Sequence, residues 1–383
     1  MKKKIKILHV INSCDPIDGG PIEGVKQFSK EYVNHDINVE ILCSDKKNSQ
    51  FLKTNNLPRV HAIGPGLFKY NYNYRMIPWL KKNIHRFDFL IINGIWQYHN
   101  YAVWKVAKLF NKEYFIFTHG MLDPWFNKKY PFKYFKKIIY WYLIQYKILK
   151  DAKKILFTSK LENFLASKSF PNTDLKKKTI GYGIKGNPFI NFKKNFFLKK
   201  FPFLKKKTFI LYLGRIAEKK GIDILISAFN KFKEKNIYLI IAGDYQNYYG
   251  KKIFNITKKQ KDKKILWVGA LYNRIKWDAY RSASLFCLPS HQENFGISIV
   301  EALSSKVPVL ITNKVNIHSI IKKYNCGFVS NDNLIGINNS LNKWLRIKNS
   351  KTNQIMKYNA FNCFQKNFKI DHVVKNLKTE LLK

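Results

Sequence analysis

Residues 284–313 read SLFCLPSHQENFGISIVEALSSKVPVLITN. An apolar run, Ser284 to Leu288, ends in a polar loop from Pro289 to Asn294. Gly296 then opens a helix, and a second apolar run, Pro308 to Thr312, completes a βαβ unit. Glu293 and Glu301, with seven residues between them, fall in different settings within it. Glu293 lies where a strand hands over to a helix, the place where open α/β sheets bind ligands. Glu301 has Ile297, Ile299, Val300, Ala302 and Leu303 around it. Little of that helix can face water, so its carboxylate needs partners, because burying one unpaired is very costly. Taken alone, the pair reads more readily as a helix with one wet side and a loop acid near its N-terminus, where the dipole favours negative charge.

A second strand–loop–helix stands upstream. The apolar run FILYLG ends at Gly214, and a helix begins near Gly221. Between them, GRIAEKKG (214–221) holds Arg215 and Lys220 close to a helix N-terminus, where backbone N–H groups and the dipole already favour an anion. Arg can grip two phosphate oxygens in a fork and Lys adds a compact charge, so a diphosphate suits the loop. Most other lysines of this chain read simply as solvated cations.

Together these two stretches resemble a known family. HQENFG with Glu293 and Glu301 is similar to the Glu–seven residues–Glu signature of retaining, GT-B-type glycosyltransferases of family 4 (glycosyl transferases group 1), and GRIAEKKGIDILISAF resembles that family's phosphate-binding element. The resemblance implies a donor bound mostly on the C-terminal domain. Arg215 and Lys220 would contact its diphosphate and stabilise the charge that develops on the departing nucleotide. Glu293 would bind hydroxyls of the transferred sugar, assisted by backbone N–H groups at Asn294, Phe295 and Gly296. Glu301 would accept hydrogen bonds from both ribose hydroxyls, and the nucleobase would lie near WVGAL (267–271), beside Gly269. His119, at the end of the strand EYFIFTH, matches a histidine that contacts the sugar near the reacting carbon. The implied catalytic set is His119, Glu293, Arg215 and Lys220.

In the N-terminal half, the turn DPIDGG lets backbone approach a phosphate or an acceptor, because Gly19 and Gly20 lack Cβ. Gly20 is assigned to the donor, and Asp18 and Gly19 to the acceptor. INGIWQYHNYAVW (92–104) and THGMLDPWF (118–126) resemble a bacterial branch that builds surface polysaccharides such as exopolysaccharide, O-antigen or capsule. Trp96, Gln97 and Asp123 are then acceptor contacts, with Trp96 equally readable as core.

The chain as a whole alternates strand and helix, which predicts parallel sheets covered on both faces. Strands are expected at Ile5–Ile11 and near 38–43, 59–64, 87–93, 114–118, 154–158 and 178–182, with helices near 22–34, 98–110, 132–149 and 160–168. A second series has strands near 209–214, 237–242, 265–268, 284–288 and 308–312, with helices from about 334 to 382. The fold class is therefore α/β. Residues 1–186 form an N-terminal Rossmann-like acceptor domain, and the irregular basic–aromatic stretch 187–207 forms a linker. Residues 208–369 form a Rossmann-like donor domain. By resemblance the two doubly wound domains face each other across a cleft, and residues 370–383 return as a helix to the N-terminal domain.

At 383 residues the chain is long enough for two cores, and 46% hydrophobic content excludes disorder. A net charge of +46, with only seven arginines among 70 basic residues, draws the surface to anionic lipid headgroups and to polyanions generally. The stretch KYFKKIIYWYLIQYKILKDAKK (133–154) mixes Lys with Trp, Tyr and Ile, the composition of an interfacial helix or of a core helix with a lysine-rich outer side. Lipid-linked acceptors, common among the resembling enzymes, favour the membrane surface. Cys14, Cys43, Cys287, Cys326 and Cys363 are scattered without a C-x-x-C pair, which predicts a reducing cytoplasm and no structural zinc. No run reaches the length of a transmembrane helix, and the N-terminal apolar stretch is short and lacks a cleavage site. A cytoplasmic protein results, peripheral on the inner face of the plasma membrane.

Asp-x-Asp, H-E-x-x-H, G-x-S-x-G and P-loop motifs are all absent. The expectation is a metal-independent hexosyltransferase with no cofactor. Its donor is a UDP- or GDP-sugar, and it serves a glycan or lipid-linked acceptor without binding a specific nucleic acid. The competing readings are another GT-B nucleotide-sugar enzyme of epimerase type and a basic protein that binds polyanions nonspecifically.

Overall fold

The computed structural model describes residues 4–54, 57–171, 174–232, 234, 236–258 and 264–383. The chain divides into two compact units, Met1–Gly183 with Ile370–Lys383, and Ile184–Lys369. Each is a doubly wound α/β domain, as the alternating apolar runs predict.

In the first unit seven strands lie in the order β3-β2-β1-β4-β5-β6-β7. They are β1 (Ile5–Ile11), β2 (Ile37–Cys43), β3 (Arg59–Ala62), β4 (Phe89–Asn93), β5 (Tyr114–Phe117), β6 (Lys154–Phe157) and β7 (Lys177–Thr179). Every pairing is parallel, with Val10 opposite Leu42 on one side of β1 and Ile92 on the other. Parallel strands are covered on both faces, which is why β1 is a continuous apolar run; Ile7, Leu8 and Val10 have no exposure at all. The strand order reverses direction between β1 and β4, leaving a crevice at their carboxyl ends.

The C-terminal helix Ile370–Leu381 belongs to this unit. Lys378 Nζ donates to the His35 carbonyl at 2.6 Å, and Lys154 Nζ donates to Glu380 at 2.6 Å. Lys154 and its neighbours hold the Glu380 carboxylate down to about 2.

The second unit has six parallel strands in the order β10-β9-β8-β11-β12-β13. They are β8 (Thr208–Leu213), β9 (Ile237–Ala242), β10 (Ile265–Trp267), β11 (Leu285–Leu288), β12 (Val309–Thr312) and β13 (Gly327–Ser330). The order reverses between β8 and β11, the two strands that carry the motif loops. The edge strand β13 was not expected from the sequence.

The basic–aromatic stretch 187–207, read above as a linker, lies on the second unit. Asn195 donates to Ser282 Oγ at 2.6 Å, the Phe196 N–H donates to Asp278 at 2.7 Å, and Phe189, Phe192 and Phe196 surround the Arg274 guanidinium at 4.9, 4.5 and 4.7 Å.

The helix expected near 132–149 is interrupted. Pro131–Tyr140 is α-helical, Trp141–Gln145 forms a π turn, and Tyr146–Lys150 resumes the α-helix. Trp141 is buried completely, whereas Pro131–Tyr140 has no buried residue.

Candidate functional site

In the second unit, the loops after β8 and β11 are fitted to one another. Gly221 adopts φ +64°, and a Cβ there would stand 2.1 Å from the Pro289 carbonyl oxygen, so only glycine lets the loops approach. The His291 N–H donates to the Lys219 carbonyl at 2.9 Å. Lys220 Nζ pairs with the Glu293 carboxylate, both side chains being almost fully enclosed. Burial alone pushes the Glu293 carboxyl up. Lys220, with Lys219 and Arg215, outweighs that and holds it below its ordinary value. Arg215 is exposed beside this pair, its carbonyl accepting from Tyr212 Oη at 2.9 Å.

Glu293 is fixed along its backbone as well. Its N–H donates to the Lys314 carbonyl at 3.1 Å and its carbonyl accepts from Asn316 N–H at 3.0 Å. Asn294 accepts from Asn316 Nδ2 at 3.1 Å, and Phe295 packs edge-on against Phe368 at 5.7 Å. Gly296, at φ +77°, caps the helix Ile297–Ser304.

Glu301 sits in that helix at 7% exposure. The partners its apolar helix lacks come from the preceding helix, Asn273–Ser282. Lys276 Nζ donates to Oε1 at 2.5 Å and Tyr280 Oη donates to Oε2 at 2.9 Å. Burial, with the Glu301 charge beside it, raises the Tyr280 phenol well above its usual value. In the sequence these two carry no signal beyond the i, i+4 spacing that puts Lys276 and Tyr280 on one helix face.

Two open positions complete this edge. At Gly214, after β8, and at Gly269, after β10 with φ +72°, an added Cβ would meet nothing within 4 Å. Gly214, Arg215, Gly269 and Glu293 therefore all lie at the carboxyl edge of one parallel sheet.

The first unit carries a separate constellation, also at its carboxyl edge. His119 follows β5 in a left-handed conformation, φ +48°. A buried acid holds this turn. Glu162 accepts from Thr118 Oγ1 at 2.8 Å and Gly120 N–H at 2.6 Å through Oε1, and from Thr158 N–H at 2.7 Å and Thr158 Oγ1 at 2.6 Å through Oε2. Glu162 itself follows Ser159, which caps the helix Lys160–Ala166. The S-x-x-E spacing from Ser159 to Glu162 is the sequence signal that could have found it.

His119 heads a polar chain into the core. Its Nε2–H donates to Asn93 Oδ1 at 3.2 Å, Asn93 Nδ2 donates to His9 Nδ1 at 3.0 Å, and His9 Nε2–H donates to Tyr32 Oη at 2.9 Å. These assignments leave His119 Nδ1 as the lone-pair nitrogen. Burial lowers His119 to about 4 and His9 to about 3, so both imidazoles are neutral at physiological pH. Tyr182 stands edge-on to His119 at 6.2 Å, and its hydroxyl donates to the Gly20 carbonyl at 3.0 Å. It thus links the glycine turn to the histidine. Gly19, at φ +84°, precedes the helix Gly20–Tyr32. Asp18 closes the turn Pro16–Asp18, and its side chain lies outside the described part of the structure.

Two of the expected acceptor residues, Trp96 and Asp123, have structural engagements. Trp96, at φ +76°, packs 5.0 Å from Phe170 and donates from Nε1 to the Met121 carbonyl at 3.3 Å. Lys137 Nζ lies 4.7 Å over its ring. The π turn delivers Gln145 Oε1 to the Trp96 N–H at 3.1 Å. Asp123 is buried and caps the helix Pro124–Lys129 through Trp125 N–H at 2.9 Å. Gln97 is half-buried at the start of the helix Tyr98–Leu109.

The two doubly wound units are those of the GT-B fold. Anabaena Alr3699/HepE, solved in complex with UDP and glucose, superposes with a TM-score of 0.76 at 16% identity, over 99% of both chains. Residues 193–362 match the model of the family described as glycosyl transferases group 1, so the second unit is similar to that family along nearly its whole length. Mannosylfructose-phosphate synthase of Agrobacterium fabrum is 31% identical over 112 residues, 27% of this chain and 25% of that protein. The O-antigen biosynthesis glycosyltransferase WclY of Escherichia coli is 26% identical over 140 residues, 36% of this chain and 38% of that protein. The chain spans about a quarter of the length of the first of these curated relatives.

Proposed function

We propose that the protein is a retaining glycosyltransferase that moves a sugar from a nucleotide-diphosphate donor to a glycan or lipid-linked acceptor. The observation that carries this reading is the Lys220–Glu293 pair. It joins the two loops at the point where the strand order of the second sheet reverses, with Arg215 exposed beside it. A diphosphate fits there because Arg215 and Lys220 supply one forked and one compact cation next to open backbone at Gly214. As the bond to the sugar breaks, these cations stabilise the charge gathering on the leaving diphosphate.

Glu293, kept ionised by its neighbours, accepts hydrogen bonds from sugar hydroxyls. Glu301 has a second lone pair on each oxygen beyond those used by Lys276 and Tyr280, and these accept the ribose hydroxyls. Neutral His119 contacts the sugar near the reacting carbon, and the acceptor hydroxyl attacks from the face the diphosphate leaves, passing its proton to the departing diphosphate oxygen, which retains configuration. The reaction as proposed needs no metal and no cofactor besides the donor. Likeness to the O-antigen enzyme WclY supports a place in surface-polysaccharide synthesis, and the UDP complex of HepE supports UDP among the candidate bases.

Work at the inner face of an anionic membrane belongs to the same proposal. No described helix is long and apolar enough to cross a bilayer. The helix Pro131–Tyr140 and the π turn after it instead expose Phe132, Phe135, Ile139 and Leu143, interleaved with Lys133, Lys136 and Lys137. Apolar side chains entering the headgroup boundary with lysines among them suit an interfacial helix.

The reaction is tested by incubating the protein with UDP- and GDP-sugars and membrane-derived glycolipid, following nucleotide diphosphate release and the anomeric configuration of the product. Release that depends on acceptor, with the donor's configuration kept, is expected. Turnover of donor without acceptor would favour an epimerase-type enzyme, and an inverted product would overturn the retaining assignment.

A further inference from the structure

The spacing of cysteines in the sequence gives no metal site, but the fold brings two of them together. Cys43 ends β2, and Cys14 lies just past β1, its parallel neighbour. Both thiols have no solvent exposure. They sit in a small apolar cluster with Ile11, Ile22, Val25 and Ile41. Asp45 closes over them from the loop after β2. Its Oδ1 accepts from Ser13 Oγ at 2.7 Å and its Oδ2 from the Cys14 N–H at 2.7 Å, so the carboxylate is held in one orientation. One ligand atom each from Cys14, Cys43 and Asp45 lies within 4.8 Å of the others.

We propose that Cys14, Cys43 and Asp45 form a binding site for one thiophilic divalent cation of the Zn2+ type. Thiolates select such ions over Mg2+ and Ca2+, which prefer oxygen ligands alone. Three protein ligands leave a fourth, tetrahedral position for a water. On binding, each thiol gives its proton to solvent, and the two sulfurs and one carboxylate oxygen donate electron pairs to the metal. No redox change is involved. Ser13 Oγ and the Cys14 N–H already serve the carboxylate as outer-shell hydrogen bonds do around metal ligands. Cys326 and Cys363 also stand close enough for a thiol–thiol hydrogen bond, yet among the described residues no third ligand joins them. The bound ion would tie the root of the turn through Gly19 and Gly20 to β2. It would fix that loop in place and take no part in bond making.

Cd2+ titration of the whole, metal-free chain, kept reduced with a phosphine, tests this. A sulfur-to-metal charge-transfer band in the ultraviolet should saturate at one ion per chain. About two protons should be released per ion, as thiol ligation requires, and Zn2+ should displace the Cd2+. The band should survive Cys326→Ser with Cys363→Ser and vanish in Cys14→Ser with Cys43→Ser. Asp45→Asn, which keeps both thiols, should weaken Cd2+ binding at least about tenfold. This last variant covers the case in which the double serine variant does not fold. No band, a band undiminished without Cys14 and Cys43, or unchanged affinity in Asp45→Asn would each overturn the proposal.

Discussion

Lys220 is paired with Glu293 across two loops that leave different strands of the second sheet, with both side chains largely withdrawn from water. The cation keeps a buried carboxylate ionised, and the carboxylate in turn neutralises the cation. Removing Lys220 leaves Glu293 enclosed without its strongest partner. Lys220→Ala should therefore cost about 3 kcal/mol in stability, whereas Lys220→Ala with Glu293→Gln should recover part of that loss. A double-mutant cycle by urea unfolding measures the coupling, and strictly additive losses would contradict it.

Glu162 is the hidden support of the His119 turn. It accepts two backbone and two hydroxyl hydrogen bonds, and Glu162→Gln would set an amide NH2 against N–H donors. A loss of about 2–4 kcal/mol is expected from unsatisfied buried groups. The His119 ring resonances should shift in NMR spectra even where the variant stays folded. A silent substitution would mean that the turn is held by other contacts.

How far such residues could be foreseen depended on whether their partners were local. Arg215, Lys220 and Glu293 lie in strand–loop–helix units a few residues long, so the sequence order itself placed them at a strand's carboxyl end. Glu301 was recognisable as a carboxylate in need of partners, but Lys276 and Tyr280 reach it from another helix. Asn93, His9 and Tyr182 meet His119 only after five strands have assembled, and their spacing carries no periodic signal. The strand β13 has no apolar signature because it lies at the sheet edge, where one residue out of four is buried. The π turn at Trp141–Gln145 is invisible to a 3.6-residue reading, yet it delivers Gln145 to the Trp96 backbone.

Stability should fall as the solution is acidified. Burial lowers His9 to about 3, and His99 and His119 to about 4, whereas an unfolded histidine titrates near 6.5. Between about pH 6.5 and 4 the unfolded chain binds more protons at these positions, so their contribution is complete above that window and is lost on descending through it. The urea midpoint should be flat above pH 7.5 and drop between pH 6.5 and 4.5. A midpoint unchanged over that interval would contradict neutral, buried imidazoles.

The proposed membrane attachment would separate into an electrostatic and an apolar part. Phe132 and Phe135 are 89% and 67% exposed. Phe132→Ser with Phe135→Ser should reduce co-sedimentation with vesicles containing phosphatidylserine at physiological salt, leaving weak, salt-sensitive binding from the lysines. Equal binding of wild type and variant at every salt concentration would place the contact elsewhere.

Donor binding by the loops after β8 and β11, as proposed, is open to test by thermal unfolding with ligands. UDP, GDP and ADP, with their common sugar conjugates, are compared on the wild type, Arg215→Ala and Glu301→Ala. A nucleotide at a hundred times its Kd should stabilise the wild type by about 2.7 kcal/mol. Nucleotides of one base should stabilise the wild type, and both variants should lose the response while remaining folded. No shift with any nucleotide at low salt, or equal shifts in wild type and both variants, would contradict it.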